Sequence, residues 1–139
     1  MNRRQMIPAM GLALAAQTFV AKTFAQKTPA KPDAAALAKS AAACVSTGEA
    51  CLAHCHEMLA SSPAMAACAK TVSELLAVCT ALQKLASQNA PSLAKQAAVA
   101  ADVCKRCEAE CRKFAAMPPC KACADACAAC AAECAKFAK

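Results

Sequence analysis

A chain of 139 residues has the length of one domain with a sizeable core. Abundant Ala, few β-branched residues, two Gly and no Trp or Tyr favour helices and give strands little support. The net charge of +7 comes with no basic block and no aromatic platform for stacking bases, so nucleic-acid binding is not expected.

The first 26 residues read MNRRQMIPAMGLALAAQTFVAKTFAQ: a basic start, an apolar stretch from Ile7 to Val20, and a small-residue site ending at Ala25. This is the pattern of a removable signal peptide over residues 1–25, too short and too weakly apolar for a lasting membrane anchor. The adjacent Arg3 and Arg4, followed by apolar residues, point to the twin-arginine route and hence to a periplasmic destination. Removing the leader lowers the charge from +7 to +4 and leaves a chain expected to be soluble. Residues 26–32, QKTPAKP, read as a flexible lead-in, and residues 33–139 as one domain.

Asp33 caps a helix expected to run to about residue 61. Ser62 and Pro63 form a second start, cap followed by proline, for a helix to about residue 88. NAPS breaks the chain, and a third helix runs to about residue 116. MPPC is the last break, with Pro119 opening a fourth helix that reaches the C-terminus. Connections this short make neighbours antiparallel, so the fold expected is all-α, an up-down-up-down four-helix bundle.

At about 100° per residue, each helix presents one coherent stripe. The first carries Leu37, Ala41, Cys44, Gly48, Cys51, Cys55 and Met58. The second carries Met65, Cys68, Val72, Leu75, Cys79 and Leu82. On the third lie Leu93, Ala97, Ala100, Cys104, Cys107, Cys111 and Ala115. The fourth, CKACADACAACAAEC, spaces Cys120, Cys123, Cys127, Cys130 and Cys134 at intervals of 3, 4, 3 and 4. All thirteen cysteines fall on stripes, so they are expected to share one core. The ends differ. The turns after the first and third helices gather Cys55, Met58, Met65, Cys68, Cys111, Cys120 and Met117, with His54 beside them; the other end carries Leu37, Leu82 and Leu93. His56 lies more than 100° off the stripe and reads as a surface residue.

A disulfide framework fits poorly: the count is odd, and cysteines three or four apart on one helix diverge enough to strain a bridge. One or two cysteines pass as small core hydrophobes, but thirteen on four stripes do not. CLAHCH has three residues between its cysteines where haem attachment needs two, and the repeated C-x2-C run of ferredoxins is absent. CKAC lacks the βαβ context of a thioredoxin motif. Polynuclear metal binding remains, and charge favours Cu(I). Thirteen buried thiolates are untenable alone, whereas soft Cu(I) with two thiolates each, every thiolate bridging two ions, gives a nearly neutral array. Zn(II) or Cd(II) bound in the manner of metallothionein, and a thiol redox or disulfide-exchange protein, are the alternatives.

The motifs ACVSTGEACLAHCHEML, MAAC, ADVCKRCEAECRKF and CKACADACAACAAEC together resemble the cysteine-rich four-helix-bundle copper storage proteins, over essentially the whole mature chain. The resemblance implies Cu(I) along the bundle interior, held by Cys pairs, many of them C-x3-C, and a non-enzymatic role holding copper for copper enzymes. It also implies a His and Met group at the open mouth, matched here by His54, Met58 and Met65. Exported members of the family and homo-oligomers, tetramers among them, are part of what it implies. The chain departs from the family pattern at EMLASSPAM, where Ser61 and Ser62 stand in places the family can fill with Met; Met117 is the candidate substitute.

Overall fold

A computed structural model describes residues 31–138. The leader over residues 1–25 and most of the lead-in lie outside the described residues. Four helices follow one another: α1 Ala34–Met58, α2 Met65–Ser87, α3 Leu93–Arg112 and α4 Pro118–Ala135.

The chain's own stop and start signals set these bounds. Asp33 is extended, and its carboxylate accepts hydrogen bonds from the Ala35 and Ala36 amides at 2.9 and 3.3 Å, satisfying two donors that the first turn leaves without partners. α1 ends at Met58 rather than at residue 61. The Met58 carbonyl accepts from the amides of both Ser61 and Ser62, and the Ser61 hydroxyl donates to it as well, closing a tight turn. Ser62 does not act as the side-chain cap expected of it. Its backbone carbonyl instead accepts from the Met65 amide, and α2 begins two residues after Pro63. At the far end of α2, Asn89 adopts φ 47°, and Ala90 donates back to Leu85 at 2.9 Å. A left-handed residue after the last turn satisfies the final carbonyls, and Asn tolerates that conformation better than most residues. α3 stops at Arg112, four residues before the expected end, because residues 113–117 tighten into a turn in which Met117 donates to Phe114 at 2.9 Å. Pro118, at the first helical position of α4, loses no hydrogen bond there.

α1 packs on α2 and α4, and α3 packs on the same two helices. Diagonal partners meet only through side chains on the bundle axis, as where Cys51 Sγ of α1 lies 4.0 Å from Cys111 Sγ of α3. The four stripes converge on that axis. Leu37, Ala41, Val72, Leu75, Leu82, Ala97, Ala100 and all thirteen cysteines are fully buried. Ala115 departs from the expected stripe: it falls in the turn after α3 and is exposed. Val103, Ala124 and Ala131 join the core beyond the expected set, since an Ala-lined helix can present a wider buried face. α2 is long and apolar enough to cross a membrane by length and composition, but its apolar stripe is consumed by the bundle interior.

Outside the core, Arg106 holds Glu74 of α2 with two bonds of 2.8 and 2.9 Å, and Arg112 reaches Asp125 of α4 at 2.6 Å. These exposed pairs orient α3 between its neighbours and add little stability. Folding rests on the aliphatic end and on good helix formers, so the reduced, metal-free chain should already be a bundle. Its far-ultraviolet circular dichroism should be strongly helical and change little on adding metal; a coil that becomes helical only with metal would contradict this.

Candidate metal centre

The thirteen cysteines are free thiols, each with no solvent exposure. Their distribution follows from antiparallel helices carrying stripes of similar period. Cys51 and Cys55 near the end of α1 come level with Cys68 at the start of α2 and Cys120 at the start of α4. These four Sγ atoms lie within 4.8 Å of one another. Deeper, Cys44, Cys79, Cys104 and Cys130 supply one thiol from each helix to a second group of four. Two trios lie between: Cys51, Cys111 and Cys123, then Cys107, Cys123 and Cys127. Cys51 and Cys123 each belong to two groups, and Cys127 bonds with Cys104 of the deeper four, so the sulfurs form a connected column rather than isolated sites. Cys134 lies beyond the deeper four, next to Cys130.

Individual separations include 3.5 Å for Cys68 to Cys111, 3.7 Å for Cys51 to Cys120, and 3.9 Å for both Cys107 to Cys111 and Cys79 to Cys104. With a metal–thiolate bond of about 2.3 Å, three-coordinate geometry sets sulfurs about 4.0 Å apart and linear geometry about 4.6 Å apart. The column is therefore spaced for metal ions with small displacements of side chains. All four C-x3-C pairs, starting at Cys51, Cys107, Cys123 and Cys130, keep both members in the column.

Among the described residues no charged or polar side chain is buried in the core, so nothing there offsets a thiolate. The thiols act on one another instead. Hydrogen bonding from Cys127 draws the Cys104 thiol down to about 5, and bonding with Cys111 lowers both Cys51 and Cys107. The donors move the other way: Cys111 is raised mainly by Cys107, and Cys127 mainly by Cys104. At the rim, burial pushes Cys120 up to about 12 and raises Cys55. Each proton lost from such an array opposes the loss of the next.

The residues expected at the mouth are brought to one end. His54 Nε2 lies 3.1 Å from Met117 Sδ across the gap between α1 and the start of α4. Both are half-buried, as is Met58, while Met65 is fully buried at the start of α2. His56 is exposed, as its angle on the helix predicts. The opposite end is closed by Leu37, Leu82, Ala86 and Leu93. Sequence reasoning missed how the thirteen thiols divide into groups, because grouping depends on the relative height of helices; the spacing within each helix carries no such information.

A family model for copper storage proteins matches residues 30–139, and the chain belongs to that family. Among curated proteins, none matches the chain. Family and geometry agree: this is a copper storage protein whose buried cysteine clusters are able to hold metal ions. Because every thiol is shielded, the folded, reduced protein should react with a bulky thiol reagent such as Ellman's reagent far more slowly than the same protein in denaturant, where thirteen thiols should be counted. Rapid labelling of several thiols in the folded state would mean that the column is open along its side.

Proposed function

We propose that this copper storage family member is a non-enzymatic store for Cu(I), with all thirteen cysteines as its ligands. The observation that carries the reading is a connected column of thiols in a core with no other charge among the described residues. Each ion that enters must displace protons, and a monovalent ion taken up one per thiol leaves the filled interior neutral. Soft Cu(I) accepts two or three thiolates, which suits trios as well as groups of four. The two groups of four favour a second reading, tetrahedral Zn(II) or Cd(II). Four thiolates on a divalent ion leave two negative charges in a core without a counter-ion, and five thiols are left unused.

His54, Met58, Met65 and Met117 form the entrance. Imidazole and thioether are neutral donors that hold Cu(I) less firmly than thiolate, which suits transfer inward and outward. Export by the twin-arginine route to the periplasm is part of the proposal, with Arg3 and Arg4 as its support. That route carries a folded protein, so the thiols are enclosed before they meet an oxidising compartment. Copper-dependent enzymes, or a copper chelator, are the proposed clients. The Ala-rich outer faces suit close association of bundles into a homo-oligomer, a tetramer in the proposal.

Titrating the reduced bundle with Cu(I) against a competing chelator should show saturation near one ion per thiol, about thirteen per chain, with about one proton released per ion. Apparent affinity should fall as pH falls, because protons compete for the same sulfurs. Saturation at about two or three ions, with Zn(II) equally effective, would favour the tetrahedral reading, and thiol cycling with a redox partner at low metal capacity would favour the disulfide-exchange alternative.

The entrance has its own test. Exchanging Met58→Leu and Met117→Leu together keeps volume and apolarity nearly constant, so the bundle should survive. Cu(I) uptake and its removal by a strong chelator should both slow several-fold in stopped flow, with capacity nearly unchanged. Rates equal to the parent's would place the entrance elsewhere; a large fall in capacity would make these residues storage ligands.

A further inference from the structure

The thiol column is not equally provided on its four sides. On α1, Cys44 and Cys51 are seven residues apart, about 10 Å of helix, with buried Gly48 between them. On α2, Cys68 and Cys79 are eleven residues apart, about 16 Å, and fully buried Val72 and Leu75 fill the interval. Gly48 makes this filling tight. A Cβ there would lie 3.0 Å from Leu76 Cδ2 and 3.6 Å from Leu75 Cδ2, so leucines of α2 sit directly against the α1 backbone. At mid-height the α1–α2 half of the core is thus an aliphatic wall with no metal donor.

α3 and α4 have no such gap. Their cysteines recur every three or four residues, steps of about 4.5 to 6 Å, through Cys107, Cys123 and Cys127, whose Sγ atoms lie within 4.8 Å of one another. Cys123 also belongs to a group on the mouth side with Cys51 and Cys111. On the deep side, the Cys127 thiol is close enough to Cys104 and Cys44 to act on their ionisation.

We infer that the store has two compartments divided by the Gly48–Leu75 wall, and that copper passes between them along a rail made by Cys107, Cys123 and Cys127. The inference rests on the proposed Cu(I) store. The deep compartment, Cys44, Cys79, Cys104, Cys130 and Cys134, has no other way in, because Leu37, Leu82 and Leu93 close the far end. An ion moves along the rail by ligand exchange without redox change. The incoming thiol of Cys127 forms a Cu–S bond, the bond to Cys123 breaks, and the proton from Cys127 passes to the sulfur of Cys123. The mouth-side compartment fills first, and the deep one fills through it and empties last.

The test is stopped-flow delivery of Cu(I) in acetonitrile to the reduced bundle, followed by thiolate-to-copper charge-transfer absorption, with circular dichroism confirming that each variant is folded. The parent should load in a fast and a slow phase, and Cys44→Ala with Cys79→Ala should lose most of the slow one. Cys107→Ala with Cys127→Ala leaves every helix a gap of at least seven residues, about 10 Å, which a single ion spanning about 4.6 Å between sulfurs does not bridge. Its slow phase should lengthen by about tenfold or more relative to the fast phase of the same variant. Leu75→Met places a soft donor in the wall at nearly constant volume and should speed the slow phase several-fold. This variant decides the matter by itself if the double alanine variant does not fold. A parental slow phase in folded Cys107→Ala/Cys127→Ala, or in Leu75→Met, overturns the rail. Single-phase loading of the parent to full capacity overturns it too while leaving the store intact, whereas a parent that takes up only about two or three Cu(I) overturns the store itself.

Discussion

Thirteen thiols share one low-dielectric core that contains no other ionisable group among the described residues. Ionising them all without a cation would leave thirteen negative charges with nothing to oppose them, which no bundle of this size could hold. The interior therefore has two acceptable conditions, protonated or metallated, and the exchange of protons for metal connects them. Burial excludes water and oxidants, neighbouring sulfurs share protons, and the sulfur spacing suits bridging ions; each of these bears on that exchange.

The bundle keeps the array in place without depending on it. Ala and Cys are small, and a core made only of them would have little aliphatic volume. The chain concentrates its larger apolar side chains where they do the most: Leu37, Leu82 and Leu93 at one end, Val72 and Leu75 at mid-height. The first group closes the end away from the mouth, and the second stabilises the α1–α2 pair. In the proposed two-compartment store, the same residues that hold the helices together also decide where metal cannot pass. A more uniform cysteine lining would offer more ligands, but it would lose the packing that these side chains supply.

Polarity along the axis comes from topology. An up-down-up-down chain brings the α1–α2 and α3–α4 turns to the same end, so donors placed near those turns meet although they are far apart in sequence. His54 and Met117 are 63 residues apart in the chain, yet Nε2 of one lies 3.1 Å from Sδ of the other. Ser61 and Ser62 are used by the backbone to close the first of these turns at Met58. The second turn, ending at Met117, brings a thioether to the same end, beside His54. The turn geometry and the proposed donor set at the mouth are therefore one arrangement.

Much of this was legible in the sequence because helical periodicity is a local property. The 3-4-3-4 spacing on the fourth helix, the stripe positions of Cys44, Cys51 and Cys55, and the aliphatic end all follow from the rotation per residue and need no neighbour. Helix ends were less legible. The expected bounds near residues 61 and 116 overran because the tight turns at Met58 and Phe114 are stabilised by backbone hydrogen bonds that residue preference does not reveal. What only the tertiary structure decided is which cysteines face each other: that Cys51 serves two groups, that Cys44, Cys79, Cys104 and Cys130 meet at one level, and that Gly48 admits leucines to the core between those groups. A stripe states the direction in which a side chain points. The height at which it meets its partners depends on how far each helix slides along the next, and that is settled by turns and packing rather than by spacing along the chain.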